Sequence, residues 1–165
     1  MNELLFFDPR DAKTEFLSNL CRAEFVLEGA HWPTVEHYYQ AQKFVDAAYV
    51  ERMRLAATPR AAKNLGQTRD LLVRADWDSH RMTAMLRALV AKFTQHESLQ
   101  QKLLETGDAI LVEASPHDGF WGALRARRGF LRRLSALPSG DTWPHAVEMP
   151  ISISPSRMSS VRVNI

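Results

Sequence analysis

Between Pro33 and Gly107 the chain is punctuated at short intervals by residues that start and stop helices, and this spacing admits several short helices. Thr34 follows Pro33 and can cap a helix whose positions Val35, Tyr38, Tyr39, Gln42 and Val45 recur at near 3.6 spacing. A second helical stretch is expected over about Ala47 to Ala57. The third is the best marked. Thr58 serves as N-cap, Pro59 takes the first helical position, where its missing N–H costs nothing, and Gly66 sits where a left-handed residue closes a helix. Asp78 is expected to cap a long helix in which Met82, Met85, Leu86, Leu89, Val90 and Phe93 trace an apolar stripe, read as core. A further helix with Leu99, Leu103 and Leu104 ends at Thr106-Gly107.

Around these helices lie short extended pieces. Leu4 to Phe7 is one; Glu24 to Leu27 and His31-Trp32 are two more, joined at Glu28-Gly29-Ala30 as a hairpin. Ala109 to Val112 reads as a buried strand leading into the loop from Ser115 to Gly122. The fold class is therefore α+β, predominantly α-helical, a single compact domain with a short N-terminal β-hairpin. There is no internal repeat.

Composition narrows the function classes. The 165 residues contain one cysteine, Cys21, so no internal disulfide and no cysteine-rich metal site can form, and Cys21 reads as a small buried thiol. No apolar run approaches the ~18 residues that span a bilayer. The first residues, with Glu3, Asp8 and Asp11, lack the basic start and apolar stretch of a secretory signal, so a cytoplasmic location is expected. The formal charge of +2 conceals an asymmetry: residues 1–124 carry 14 Lys and Arg against 17 Asp and Glu, whereas residues 125–165 carry 7 against 2. A basic tail can mark nucleic-acid contact, but the aromatic residues that stack on bases are nearly absent there.

Three polar clusters sit beside aromatic residues. Glu36, Gln40 and Lys43 share a helix face near His37 and Tyr38, which fits either a site or an ordinary solvated face. Arg69, Arg74, Asp76, Trp77 and Asp78 form a loop before the long helix that reads equally as an aromatic staple with capping aspartates. His117 to Gly122 follows a buried strand, where loops often present functional side chains. Phosphate-binding glycine loops, the zinc helix motif and the nucleophile-elbow motif are all missing. Neither His117 beside Asp118 nor His37 beside Glu36 has a third ligand in view, so no metal and no cofactor is expected.

The exact words of the chain carry more. Phe16-Leu17-Ser18-Asn19 and the run from Trp32 to Phe44, Trp-Pro-Thr-Val-Glu-His-Tyr-Tyr-Gln-Ala-Gln-Lys-Phe, resemble the signature of the YbiA-like, or NADAR, family. The resemblance continues through Ala57-Thr58-Pro59, Ala62-Lys63 and Leu65-Gly66. It then runs through Arg74 to Asp78, Leu89 with Ala91-Lys92-Phe93, Thr106-Gly107-Asp108, Leu111-Val112-Glu113 and Asp118-Gly119-Phe120-Trp121-Gly122. It covers residues 14–122 in order.

What the resemblance implies is a YbiA-like domain over residues 1–135 that cleaves N-glycosidic bonds of ribosyl substrates. For stand-alone bacterial members the substrates are phosphorylated ribosylamino-pyrimidine intermediates of riboflavin biosynthesis, split into base and ribose 5-phosphate. Other members remove ADP-ribose from modified nucleobases; the rival reading from another class, motivated by the glycine-rich segment missing after Gly122, is a non-catalytic module that binds ADP-ribose without turning it over. Such cleavage passes through an oxocarbenium-like state that a carboxylate stabilises. Glu36 matches the family's helix carboxylate and Asp118 the one in its Asp-x-x-Trp loop, and which is acid and which base stays open. Trp77 and Trp121 offer flat faces to a heterocycle, with stacking worth ~1–3 kcal/mol per base. Lys43 and Lys63, and more weakly Arg69, would bind the 5-phosphate, and Ser18 and Asn19 the sugar. The expected partner is a small ribosyl-phosphate met by a monomer, with no membrane, and nucleic acid only in the ADP-ribose reading.

After Trp121-Gly122 the chain leaves the family pattern. Where that pattern has a glycine-rich segment with an Asn, then Leu-Gly and a last amphipathic helix, Ala123 to Leu134 holds five arginines and one glycine. Backbone N–H groups of a glycine-rich loop approach a phosphate or ribose in a way this segment cannot reproduce. Residues 136–165 are a divergent tail rich in Pro and Ser, expected to pack poorly. Such an abrupt change is what a reading-frame shift in GC-rich coding DNA produces; simple divergence is the other reading. Either one puts the activity of this product at stake.

Overall fold

The computed structural model describes residues 3–115 and 120–121. Among these residues lie strands β1 (Glu3–Phe6), β2 (Phe25–Leu27), β3 (Ala30–Trp32) and β4 (Ile110–Glu113), and helices α1 (Val35–Ala41), α2 (Ala47–Arg54), α3 (Pro59–Leu65), α4 (Trp77–Gln95) and α5 (Glu97–Glu105). The class is α+β with helix dominant, as the punctuation predicts. Two units divide the chain: residues 8–105 form one, and the N-terminal segment up to Phe7 joins the part from Thr106 onward in the other. Asp118, the arginine-rich segment and the tail from 136 lie outside the described residues.

In the helical unit, three helices start on side-chain caps. Thr34 Oγ1 accepts from the His37 N–H at 3.4 Å, Asp46 from Tyr49 at 2.7 Å, and Thr58 from Ala61 at 3.1 Å. α2 stops at Arg54, three residues short of the expected Ala57, because Thr58 must be extended to cap α3. The Ala56 and Ala57 carbonyls freed by that stop accept hydrogen bonds from His37 and Arg22. The hairpin of β2 and β3 turns on Glu28 (φ 55) and Gly29 (φ 76), the left-handed pair that a two-residue turn requires. Glu28, the residue without glycine's freedom there, is held by Tyr38 Oη at 3.3 Å and by Arg87 at 2.6 Å.

α4 differs from expectation in two respects. It starts one residue beyond Asp76, which makes no side-chain cap because its carboxylate is engaged by Arg74 at 2.6 Å; Asp78 lies inside the first turn. Its buried face is Ala84, Met85, Ala88, Ala91 and Lys92, while Met82 and Leu86 are exposed. The small alanines permit close approach, which turns the helix away from the larger apolar stripe. α1 packs against α2, α3 and α4, and with Phe16, Phe25, Trp32, Met53 and Met85 its residues build the core. Gln95, at the end of α4, pairs its amide with both backbone groups of Val26, at 2.8 Å each, and so acts as an extra strand beside β2.

In the second unit, β1 and β4 pair in parallel, Glu3 opposite Ile110 and Phe6 opposite Glu113. Leu111 and Val112 are buried, and the Ala114 N–H extends the ladder to the Phe6 carbonyl at 2.8 Å. Gly107, at φ 56, supplies the left-handed residue after α5.

Candidate active site

α1 is only seven residues long, and every one of them is buried. Packed on several sides by the other helices, it has no solvated face, so of the two readings open for this face the solvated one fails for Glu36 and Gln40; Lys43 lies two residues beyond the helix and is half-buried. Glu36 is 6% exposed and lies in the first turn, where the helix dipole favours negative charge. Its N–H donates to the Asn19 carbonyl at 3.0 Å, and its Oε1 accepts from Gln40 Nε2 at 2.8 Å, one helical turn on.

Gln40 rests on Gly66. That glycine is not left-handed, as its place after α3 suggested; it has φ -66 and ψ -8, open to any residue. Its requirement is steric, since a Cβ there would overlap Gln40 Oε1 and lie 2.7 Å from Cδ. Lys43, half-buried, donates to the Gly66 carbonyl at 3.3 Å and sits 5.9 Å from the ring centres of both Tyr39 and Trp77. Those two rings are 5.2 Å apart and tilted. His80 completes the cluster 6.3 Å from Trp77, and burial pushes its imidazole below the ordinary range. The Arg74 N–H donates to the Lys43 carbonyl at 2.8 Å, which pins the loop before α4 to the end of α1.

The structure thus joins Glu36, Lys43, Trp77 and the Ser18-Asn19 turn into one continuous set of contacts. Within that turn the Ser18 hydroxyl accepts from the Leu20 N–H at 3.1 Å. Lys63 and Arg69 are exposed and stand outside this set among the described residues. Trp121, half-buried, meets Phe120 edge to face at 4.7 Å in the other unit, and Asp118 is not described. Cys21 is half-buried rather than enclosed. No group of three or more His, Cys, Asp or Glu that could hold a metal occurs among the described residues.

Two residues of the neighbourhood were named from the sequence without the roles they have in the fold. Lys92 is fully buried on α4 and donates to the Phe16 and Ser18 carbonyls at 2.7 and 3.0 Å, holding the turn that meets Glu36. Burial lowers its pKa to about 8. The signal was its place beside Ala91, one helical turn after Ala88, on a face of small residues. His37, beside Glu36, is a structural imidazole: Nε2 donates to the Ala56 carbonyl at 3.1 Å, leaving Nδ1 to accept from Thr34 Oγ1 at 2.8 Å. Burial lowers its pKa as well.

The model of the NADAR domain family matches residues 5–133. The chain belongs to the NADAR family. Among relatives of this NADAR chain, an N-glycosidase of Nostoc punctiforme is 46% identical over 110 residues, covering 62% of this chain and 70% of that one. The Escherichia coli N-glycosidase YbiA is 40% identical over 117 residues, covering 71% and 72%. An NMR structure of the E. coli protein YbiA matches at a TM-score of 0.68 with 39% identity, over 73% of this chain and 71% of that one. The maize chloroplastic riboflavin biosynthesis protein PYRR is 45% identical over 115 residues; the match covers 62% of the NADAR chain and spans only 18% of the maize protein. No helix among the described residues is long and apolar enough to cross a membrane.

Proposed function

We propose that this NADAR protein is an N-glycosidase that hydrolyses the N-ribosidic bond of phosphorylated ribosylamino-pyrimidine intermediates of riboflavin biosynthesis and releases ribose 5-phosphate. The observation that carries the reading is the Glu36 carboxylate, buried and aligned by Gln40 in a chain 40% identical to a named N-glycosidase. The names of the maize and E. coli relatives support the pathway and the reaction class respectively.

The chemistry follows from that placement. As the C1′–N bond breaks, its electron pair leaves with the base and the ribosyl centre becomes positive. Glu36 faces that charge from a poorly solvated position, where electrostatic attraction is far stronger than in water, and orients the water whose oxygen bonds C1′; that water gives up one proton to a carboxylate and the departing base nitrogen takes one up, so the step balances as hydrolysis. Asp118 is the second carboxyl group, donating to or hydrogen-bonding the departing base. Trp77 and Trp121 hold the heterocycle. Lys43 and Lys63, and more weakly Arg69, take the 5-phosphate, and the Ser18-Asn19 turn takes the sugar. The enzyme acts as a monomer on a small molecule in the cytoplasm.

Incubation with the pyrimidine phosphates should release ribose 5-phosphate, undiminished by EDTA; loss of all activity on chelation contradicts the mechanism. Glu36→Gln keeps the shape and the bond from Gln40 but removes the charge, so turnover should fall by about 10²-fold, near 2.7 kcal/mol, with substrate binding and stability little changed. Near-normal turnover removes Glu36 from the reaction and makes Asp118 the lead. Faster release from ADP-ribosylated DNA under identical conditions would move the substrate to nucleic acid. Calorimetric binding of ADP-ribose without base release would instead mark a binding module.

A further inference from the structure

We propose that Gln40 and Gly66 form a positioning pair that sets the Glu36 carboxylate, with Gly66 reserved for a residue without a side chain so that the Gln40 amide can be parked against it. The proposal rests on the glycosidase reading of Glu36. Its ground is a disproportion at Gln40. Nε2 donates to Glu36 at 2.8 Å, whereas Oε1 is buried with no hydrogen-bond partner among the described residues. A buried amide oxygen left without a donor is unfavourable, and an isosteric leucine at this position would avoid the cost. The chain keeps the amide nonetheless, and among the described residues its one directed interaction is with the carboxylate.

Gly66 explains how the amide is held at that angle. Its backbone conformation makes no demand for glycine, yet a Cβ there would overlap Oε1 and come 2.7 Å from Cδ and 3.0 Å from Cβ of Gln40. Any side chain at 66 therefore drives the Gln40 amide off its seat and away from Glu36. The seat itself is anchored on both sides. Lys43 Nζ donates to the Gly66 carbonyl at 3.3 Å, and Tyr49 Oη donates to the Leu65 carbonyl at 2.8 Å. Gln40 touches neither sugar nor base in this scheme; it acts through Glu36.

The test uses Gln40→Leu, Gly66→Ala and the double variant, assayed for ribose 5-phosphate release from the ribosylamino-pyrimidine phosphate beside Glu36→Gln, with thermal unfolding of each. Positioning predicts that Gln40→Leu lowers kcat about ten- to a hundredfold with KM within twofold whichever way its melting temperature moves, since losing the orphaned oxygen and losing the donor to the buried Glu36 carboxylate act on stability in opposite directions. Gly66→Ala should lower kcat to a similar degree, and the double variant should be no slower than either single one, since both act at the same contact. A purely structural role predicts instead a lower melting temperature with wild-type kcat in the folded fraction, and that result overturns the proposal. So does a double variant whose loss is the product of the single losses. Should Gly66→Ala fail to fold, Gln40→Leu decides alone. An inactive Glu36→Gln beside fully active Gln40→Leu refutes the pair and spares the function. An active Glu36→Gln refutes both.

Discussion

His37 shows how much a single side chain next to the proposed catalytic residue can be structural. Both its nitrogens are engaged by Thr34 and the Ala56 carbonyl, and burial lowers its pKa. As pH falls below 6.5, the unfolded chain takes up a proton that the folded one resists, so the His37 contribution is full above that pH and is lost as pH falls toward the lowered folded value. Denaturant unfolding at pH 7.5, 6.5 and 5.5 should therefore show a steeper acid loss for the wild type than for His37→Gln; parallel curves would contradict this. At the same scale, Glu36 and Gln40 were legible as a pair from their four-residue spacing, but their burial was not. Apolar periodicity reports the face that meets one neighbour, and α1 is enclosed on several sides, so its polar residues look solvated in the sequence alone. Gly66 was legible as a special position and misread in kind, because sequence does not distinguish a glycine needed for its φ from one needed for the space beside it.

Among elements, α4 departs furthest from its sequence pattern, and Lys92 is the reason with a measurable consequence. Its ammonium reaches two carbonyls of the turn at Phe16 and Ser18, and its pKa falls from 10.5 to about 8 on burial. Between those values the unfolded chain still binds the proton that the folded chain has released, so stability should rise with pH across that window, by on the order of 3 kcal/mol in all. Subtracting the profile of Lys92→Met isolates the effect; a flat difference would mean that the amine is better solvated than its burial implies. Because the neutral amine still has donors for both carbonyls, the turn should hold throughout. The helices and the hairpin were legible from caps, a proline and left-handed turn residues, all of them local signals. The parallel pairing of β1 with β4 was not, since nothing local links Glu3 to Ile110. Nor was the start of α4: Asp76 and Asp78 are equivalent as letters, and the bond from Arg74 decides between them.

For the whole molecule, the family match through residue 133 enters the arginine-rich segment, whereas the matched words stop at Gly122. We propose that the reading frame shifts there. Translation of the coding DNA in the other two frames beyond codon 122 should yield Gly-x-x-x-Gly-x-Asn followed by Leu-Gly, and the chain carrying that ending should turn over ribosyl phosphates faster than this one. Absence of the pattern from both frames leaves divergence as the account. The Gln95 clamp on Val26 bears on how such a chain assembles. Its two partners are 69 residues apart, so the outer edge of the hairpin stays unsealed until the last turn of α4 has formed and arrived. During synthesis the ribosome must deliver Gln95 before that edge closes, and for all that time β2 is open to a neighbouring chain. Crowded nascent chains would meet their first hazard of mispairing at this strand, well before the arginine-rich C-terminal segment has been made.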